Sequence, residues 1–173
     1  PLPCSLALAM VFPTPVVVLG NGIVGAEKQA ISLAEAVGLP FCVVRNLPGR
    51  FAMRLPLQAQ LVGQTLFGSN ALGLCKSGPP YPLLALSCGR AAVPASIALR
   101  AASKGQTLTA HVQRPLCSTN AFDLVVAPRH DYLSSNVPHN VLLTDGSLHG
   151  VTPRSLAAAR REWKEEMSSL PQP

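Results

Sequence analysis

The sequence is short of charge, of aromatics and above all of acid. Of its 173 residues 13% are charged and 5% aromatic, against 48% hydrophobic. That balance excludes wholesale disorder and allows a packed core for one domain, or for one half of a two-domain protein. No Asp or Glu lies between Glu35 and Asp123, while Arg45, Arg50, Arg54, Lys76, Arg90, Arg100, Lys104 and Arg114 fall inside that stretch. The formal charge of +6 comes from this block, because the remainder of the chain carries more acid than base. Such a block favours phosphates, anionic lipid or an acidic partner. No Lys/Arg cluster interleaves with aromatics, so a nucleic-acid arm is excluded and no nucleic-acid partner is expected.

Paired cysteines are also missing. Cys4, Cys42, Cys75, Cys88 and Cys117 are five in number and form no C-x-x-C spacing. A zinc site or disulfide framework is therefore not expected, and the thiols read as buried residues of a reducing compartment. His111, His130, His139 and His149 are scattered, without an H-E-x-x-H or similar ligand pattern, so no metal is expected. Long apolar runs are absent too. The stretch 6–19 is apolar but holds Pro13 and Pro15 and falls short of the roughly 20 residues a spanning helix needs. It lacks the basic start of a signal peptide. The chain opens on Pro1 rather than Met, as a piece of a longer protein would.

What is present alternates strand and helix. Pro15-Val16-Val17-Val18-Leu19 reads as a buried strand ending at a glycine. Ala26, Ala30, Leu33, Ala34 and Val37 recur at helical spacing, with Gly38 as the stop. Phe41-Cys42-Val43-Val44 follows as a second strand, which completes a βαβ unit and implies a parallel pair. Beyond it come a loop, a weak helix over 57–66 and a Gly/Pro/Ser-rich loop over 68–82. Then follow a strand over 83–87, a helix from Pro94 to about 103, and strands over 107–112, 122–127 and 141–143. Thr152-Pro153 opens a last helix, on which Leu156, Ala159, Trp163 and Met167 form one stripe. The class is α/β: a Rossmann-like parallel sheet flanked by helices, occupying 15–168, after an irregular segment 1–14 and before a tail 169–173.

Gly20-Asn21-Gly22-Ile23-Val24-Gly25 fits G-x-G-x-x-G, after a strand and opening a helix, where glycines let a backbone approach a phosphate. The acidic residue a dinucleotide fold wants at the end of its second strand is replaced by Arg45, which suits at best a 2′-phosphate. An NADP-dependent oxidoreductase is thus the weakest of the enzyme readings. Ser87-Cys88-Gly89-Arg90 is a second loop expected at the same sheet edge, where Arg90 suits a phosphate or carboxylate. Arg129-His130-Asp131 and Asp145-Gly146-Ser147-Leu148-His149 follow later strand ends. No G-x-S-x-G elbow marks Ser147 as a nucleophile, so turn and capping roles are the plainer reading.

Taken in order, these stretches resemble one family. Gly20-Asn21-Gly22, Gly25, Glu27 and Gln29, then Ser87-Cys88-Gly89-Arg90, are similar to the opening motifs of the plant "elongated mitochondria" fission proteins and their bacterial relatives. His111-Val112-Gln113, Pro115, the run 122–126, Pro128, His130, Asp131, Asn140-Val141, Thr144, Gly146, Leu148-His149 and Thr152-Pro153 continue the order, from about Val16 to Trp163. The resemblance implies a fold like the N-terminal half of a GT-B glycosyltransferase, two such halves facing across a cleft. It implies an adaptor, leaning away from an enzyme, that helps recruit a dynamin-related GTPase and associates peripherally with the cytosolic face of the mitochondrial outer membrane. A glycosyltransferase-like enzyme whose donor-binding half lies outside this chain is the alternative. The resemblance brings no catalytic set and no cofactor. The motif positions Gly20, Asn21, Gly22, Gly25, Glu27, Gln29, Arg90, Gln113, His130, Asp131 and His149 are the candidate loop for an anionic small molecule.

Overall fold

The structure is a computed structural model that describes residues 14–20, 22–45, 56, 59, 79–132 and 136–168. The weak helix expected over 57–66, apart from position 59, most of the 68–82 loop, the tail, and Asn21, Arg50, Arg54 and Lys76 lie outside the described residues. So does the 1–14 segment apart from Thr14.

The described strands are β1 (Val16–Gly20), β2 (Phe41–Arg45), β3 (Leu84–Cys88), β4 (Leu108–Val112), β5 (Leu124–Pro128) and β6 (Val141–Thr144). They form one six-stranded sheet in the order β2-β1-β3-β4-β5-β6, with every pair parallel. The α/β Rossmann-like architecture is thus as the alternation implied. β1 has all five residues buried, and its Val-rich run is what a strand covered on both faces requires.

The cover on one face is α1 (Val24–Val37), which lays Ala30 and Ala34 against Val16, Val18, Leu86, Ala110 and Val112. Two alanines one turn apart let the helix backbone sit close to the sheet. Gly38 ends α1 in the left-handed conformation, φ 74°, as its glycine foretold. On the other face lies α2 (Val93–Ala102), with Pro94 in its first turn. Its Ala95 and Leu99, with Ala92 just before it, pack on Val17, Leu19 and Ala85. A third cluster joins Val93 to Phe122, Val125 and Ala127 beneath the far side of the sheet.

Several boundaries move. The strand expected over 122–127 begins at Leu124, because the Asp123 carboxylate accepts from the Thr109 amide at 2.8 Å and its hydroxyl at 2.9 Å. Arg100 holds the same carboxylate at 2.8 Å. Asn140 donates to the carbonyls of Thr119 and Phe122, at 2.8 and 3.0 Å, and ties the approach of β5 to the start of β6. The last helix begins as read, with Pro153 in the first turn and Thr152 and Ser155 forming a reciprocal capping box. It does not run through: α3 (Pro153–Glu162) stops at Trp163, and α4 (Lys164–Ser168) follows. Leu156 and Trp163 are more than half exposed.

Among the described cysteines, Cys88 is buried as expected, while Cys42 and Cys117 are half-buried and no disulfide joins the three. No described helix is long and apolar enough to cross a membrane.

Candidate functional site at the carboxyl edge of the sheet

Strand order dictates where a ligand can reach this fold. The chain leaves β1 to one side to form β2, then crosses to the other side for β3. The crevice between the carboxyl ends of β1 and β3 is therefore the switch point at which open α/β sheets bind ligands. A cleft of about 510 Å³ opens there, lined by Ile23, Gly25, Ala26 and Gln29 of the first loop and helix, Gly89, Arg90 and Ala91 after β3, and Gln113 after β4. A second cleft, about 730 Å³, lies further along the same edge among Gln113, Arg114, Leu116, Pro128, His130, Asp131, Tyr132 and Ser147. Gln113 lines both.

The glycine loop has a use of its own. Glu27, in α1 and 8% exposed, turns its carboxylate back over the loop and accepts from the Gly22 amide at 3.2 Å. Arg45, at the end of β2, clasps the same carboxylate, with Nη2 at 2.6 Å and Nε at 3.0 Å from Oε1. A Cβ on Gly20 would stand 2.6 Å from the Glu27 Oε2. Gly20 is therefore needed to seat a carboxylate of the protein itself, and Arg45 is committed to that carboxylate rather than to a 2′-phosphate. We expect Gly20→Ala to push the carboxylate off the Gly22 amide. Its thermal midpoint should fall by several degrees and the Gly22 amide should lose protection in hydrogen exchange, whereas Gly25→Ala, with open space around its Cβ, should not lower the midpoint.

The eleven sequence-derived candidates divide accordingly. Gly25, Gln29, Arg90 and Gln113 converge on the first cleft, and Gln113, His130 and Asp131 line the second. Gly20, Gly22 and Glu27 form the carboxylate seat beneath the first. Asn21 lies outside the described residues, and His149 lies in neither cleft, its Nδ1 accepting from the Val151 amide at 3.3 Å. His130 is exposed, with Nε2 3.7 Å from the Asp131 carboxylate. Arg114, read only as one charge of the basic block, meets Tyr132, which the sequence reading did not single out: the guanidinium stands 5.6 Å from the Tyr132 ring centre and donates to the Asp131 carbonyl at 3.3 Å. No spacing rule links residues that meet only across strand ends.

The acid-free block also resolves. Arg45 and Arg100 pair with Glu27 and Asp123, which lie outside it in sequence, and Arg114 is engaged as above. Arg90 stands on the rim of the first cleft, exposed, and neither hydrogen-bonds nor ion-pairs with a described residue. It follows Gly89, whose φ of 76° calls for glycine, so the turn that aims Arg90 is built into the sequence. Gln113 has φ 77°, a left-handed backbone that a side-chain-bearing residue seldom adopts, and its amide donates to the Val126 carbonyl at 2.8 Å.

Two further groups with nucleophile or base chemistry, Cys88 and His111, lie inside the core. Burial pushes the Cys88 thiol up to about 12, so it is not a thiolate near neutral pH. His111 is fully buried on β4, paired through Nδ1 with the Ser87 hydroxyl at 2.8 Å and stacked on Phe122. Burial pushes its pKa down to about 4, so the ring is neutral, and its Nε2 has no hydrogen-bond partner among the described residues. No cluster of three or more potential metal ligands occurs among the described residues.

Fold and clefts together define a Rossmann-like α/β protein with two crevices at the carboxyl edge of a parallel sheet. Residues 24–173 match the family described as Mitochondrial fission ELM1, and the chain belongs to that family. It is 25% identical, over 225 aligned positions, to the mitochondrial fission protein ELM1 of Arabidopsis thaliana. The alignment covers 91% of this chain and 53% of the relative, so the chain spans about half the length of the curated relative it matches. No solved structure matches it. The family resemblance read from the motifs is thereby borne out.

Proposed function

We propose that this chain acts in mitochondrial fission as an adaptor that helps recruit a dynamin-related GTPase to the cytosolic face of the mitochondrial outer membrane, with peripheral membrane attachment. The observation that carries this reading is the family match over residues 24–173, which takes in α1, strands β2 to β6, all lining residues of the two clefts except Ile23, and the last helices. Among the described residues, the first cleft brings together no nucleophile or base, which supports a binding role there. Cys88 is held as a thiol, and Ser87 and His111 are locked together inside the core, away from both clefts. An NADP-dependent oxidoreductase fits less well, because the Gly22 amide that would face a pyrophosphate already donates to Glu27.

Disrupting the gene tests the reading in cells. The expected result is mitochondria that are longer and fewer, with fewer foci of the dynamin-related GTPase on their surface. Unchanged mitochondrial form and unchanged foci would overturn it.

A further inference from the structure

We propose that the first cleft is a binding site for a small organic phosphate ester, with the phosphate on Arg90 and the polar body of the ligand between the amides of Gln29 and Gln113. The proposal rests on the cleft and holds independently of the adaptor reading.

Three side chains that can read a polar ligand arrive there from three elements. Gln29 comes from α1, Arg90 from the turn after β3 and Gln113 from the loop after β4. Amide side chains both donate and accept, which suits hydroxyl-bearing ligands, while a guanidinium offers paired donors to a phosphate. The volume of about 510 Å³ lies within the range of small-molecule sites.

Electrostatics select an anion. The acid nearest the glycine loop, Glu27, is already neutralised by Arg45 at 2.6 Å, so it does not cancel the charge of Arg90. No Asp or Glu lines the cleft. The opening turn of α1 adds to the same sign, since Ile23 gives no side-chain cap. The glycine loop itself is closed by Glu27, so the phosphate is placed on the Arg90 side rather than in the loop. This differs from the dinucleotide pattern that the glycines suggest.

The test titrates the purified chain with ribose 5-phosphate, inorganic phosphate and ribose, followed by calorimetry and by amide chemical shifts. Saturable binding of ribose 5-phosphate is expected, weaker binding of inorganic phosphate, and none of ribose. Arg90→Gln should weaken ribose 5-phosphate about tenfold or more, the loss of a charge-assisted contact. Arg90 is exposed, so this variant should melt as the wild type does. Gly25→Asp is the sharper variant, because a side chain at that position meets nothing within 4 Å and points a carboxylate into the first turn of α1. Acid there and loss of a helix glycine both favour the fold, so its midpoint should hold or rise while phosphate binding disappears. Arg161→Gln, on exposed α3, should bind as wild type. The proposal is overturned by a wild-type chain that binds neither phosphate probe saturably. It is equally overturned if Arg90→Gln binds like wild type, or if Arg161→Gln loses as much as Arg90→Gln.

Discussion

Phe122→Ala should cost about 4 kcal/mol of unfolding free energy, within the range for removing a buried aromatic ring. Phe122 is 2% exposed and forms the middle of a cluster with Val93, Val125 and Ala127. Its ring stacks on that of His111, with centroids 4.8 Å apart and planes 29° from parallel. The site has little freedom to collapse. The Asn140 amide pins the Phe122 carbonyl at 3.0 Å, and Asp123 fixes the next residue to Thr109. A shift in urea midpoint at constant slope would measure the loss. A loss below about 1 kcal/mol would mean that α2 does not close over this end of the sheet.

The second large effect is a loss of stability in mild acid, and its sign follows from His111. Burial lowers its folded pKa from 6.5 to about 4, so the unfolded chain takes up the proton first. The contribution is present above 6.5 and is lost as pH falls toward the folded value near 4. Between pH 7 and pH 5 this amounts to about 2 kcal/mol. His111→Gln should flatten the profile over that interval, even if it lowers stability at pH 7. Asp123 does not confuse the window. Burial acts upward on its carboxyl, but hydrogen bonds from Arg100 and Thr109 hold it below the ordinary 3.8, so its contribution is lost only at lower pH. Because His111 and Phe122 touch, their replacements should not be additive, and a double-mutant cycle would measure the coupling.

The course of the sheet was legible because its signals are local. A run of valines, a glycine, an alanine-spaced helix and a second glycine are read within one βαβ unit, and β1, α1 and β2 stand where that grammar puts them. Long-range partners were not legible. Thr109 and His111 alternate with apolar residues along β4 and so suggest a half-solvated strand; the second face is instead covered by α2, and both side chains are buried. Glu27 and Arg45 are 18 residues apart and meet only because β2 lies beside β1. A glycine loop therefore looked like a phosphate cradle, when its first use is to hold a carboxylate of its own chain. Of the candidate residues, Gln29, Arg90 and Gln113 meet because loops after β1, β3 and β4 share one edge. His149 does not join them, although its loop returns to α1, where Gly150 stands against Ser32: the imidazole is exposed and accepts from the Val151 amide of its own loop. The break at Trp163 had no local breaker to announce it.

The adaptor reading stands or falls on a direct contact. The most direct measurement is biolayer interferometry of the purified chain against the purified dynamin-related GTPase of the same organism, with and without bound GTP. Saturable binding that survives Arg90→Gln is the expected result, since recruitment does not require the phosphate cleft. Failure to bind in either nucleotide state, by a chain whose unfolding shows it to be folded, would contradict the account.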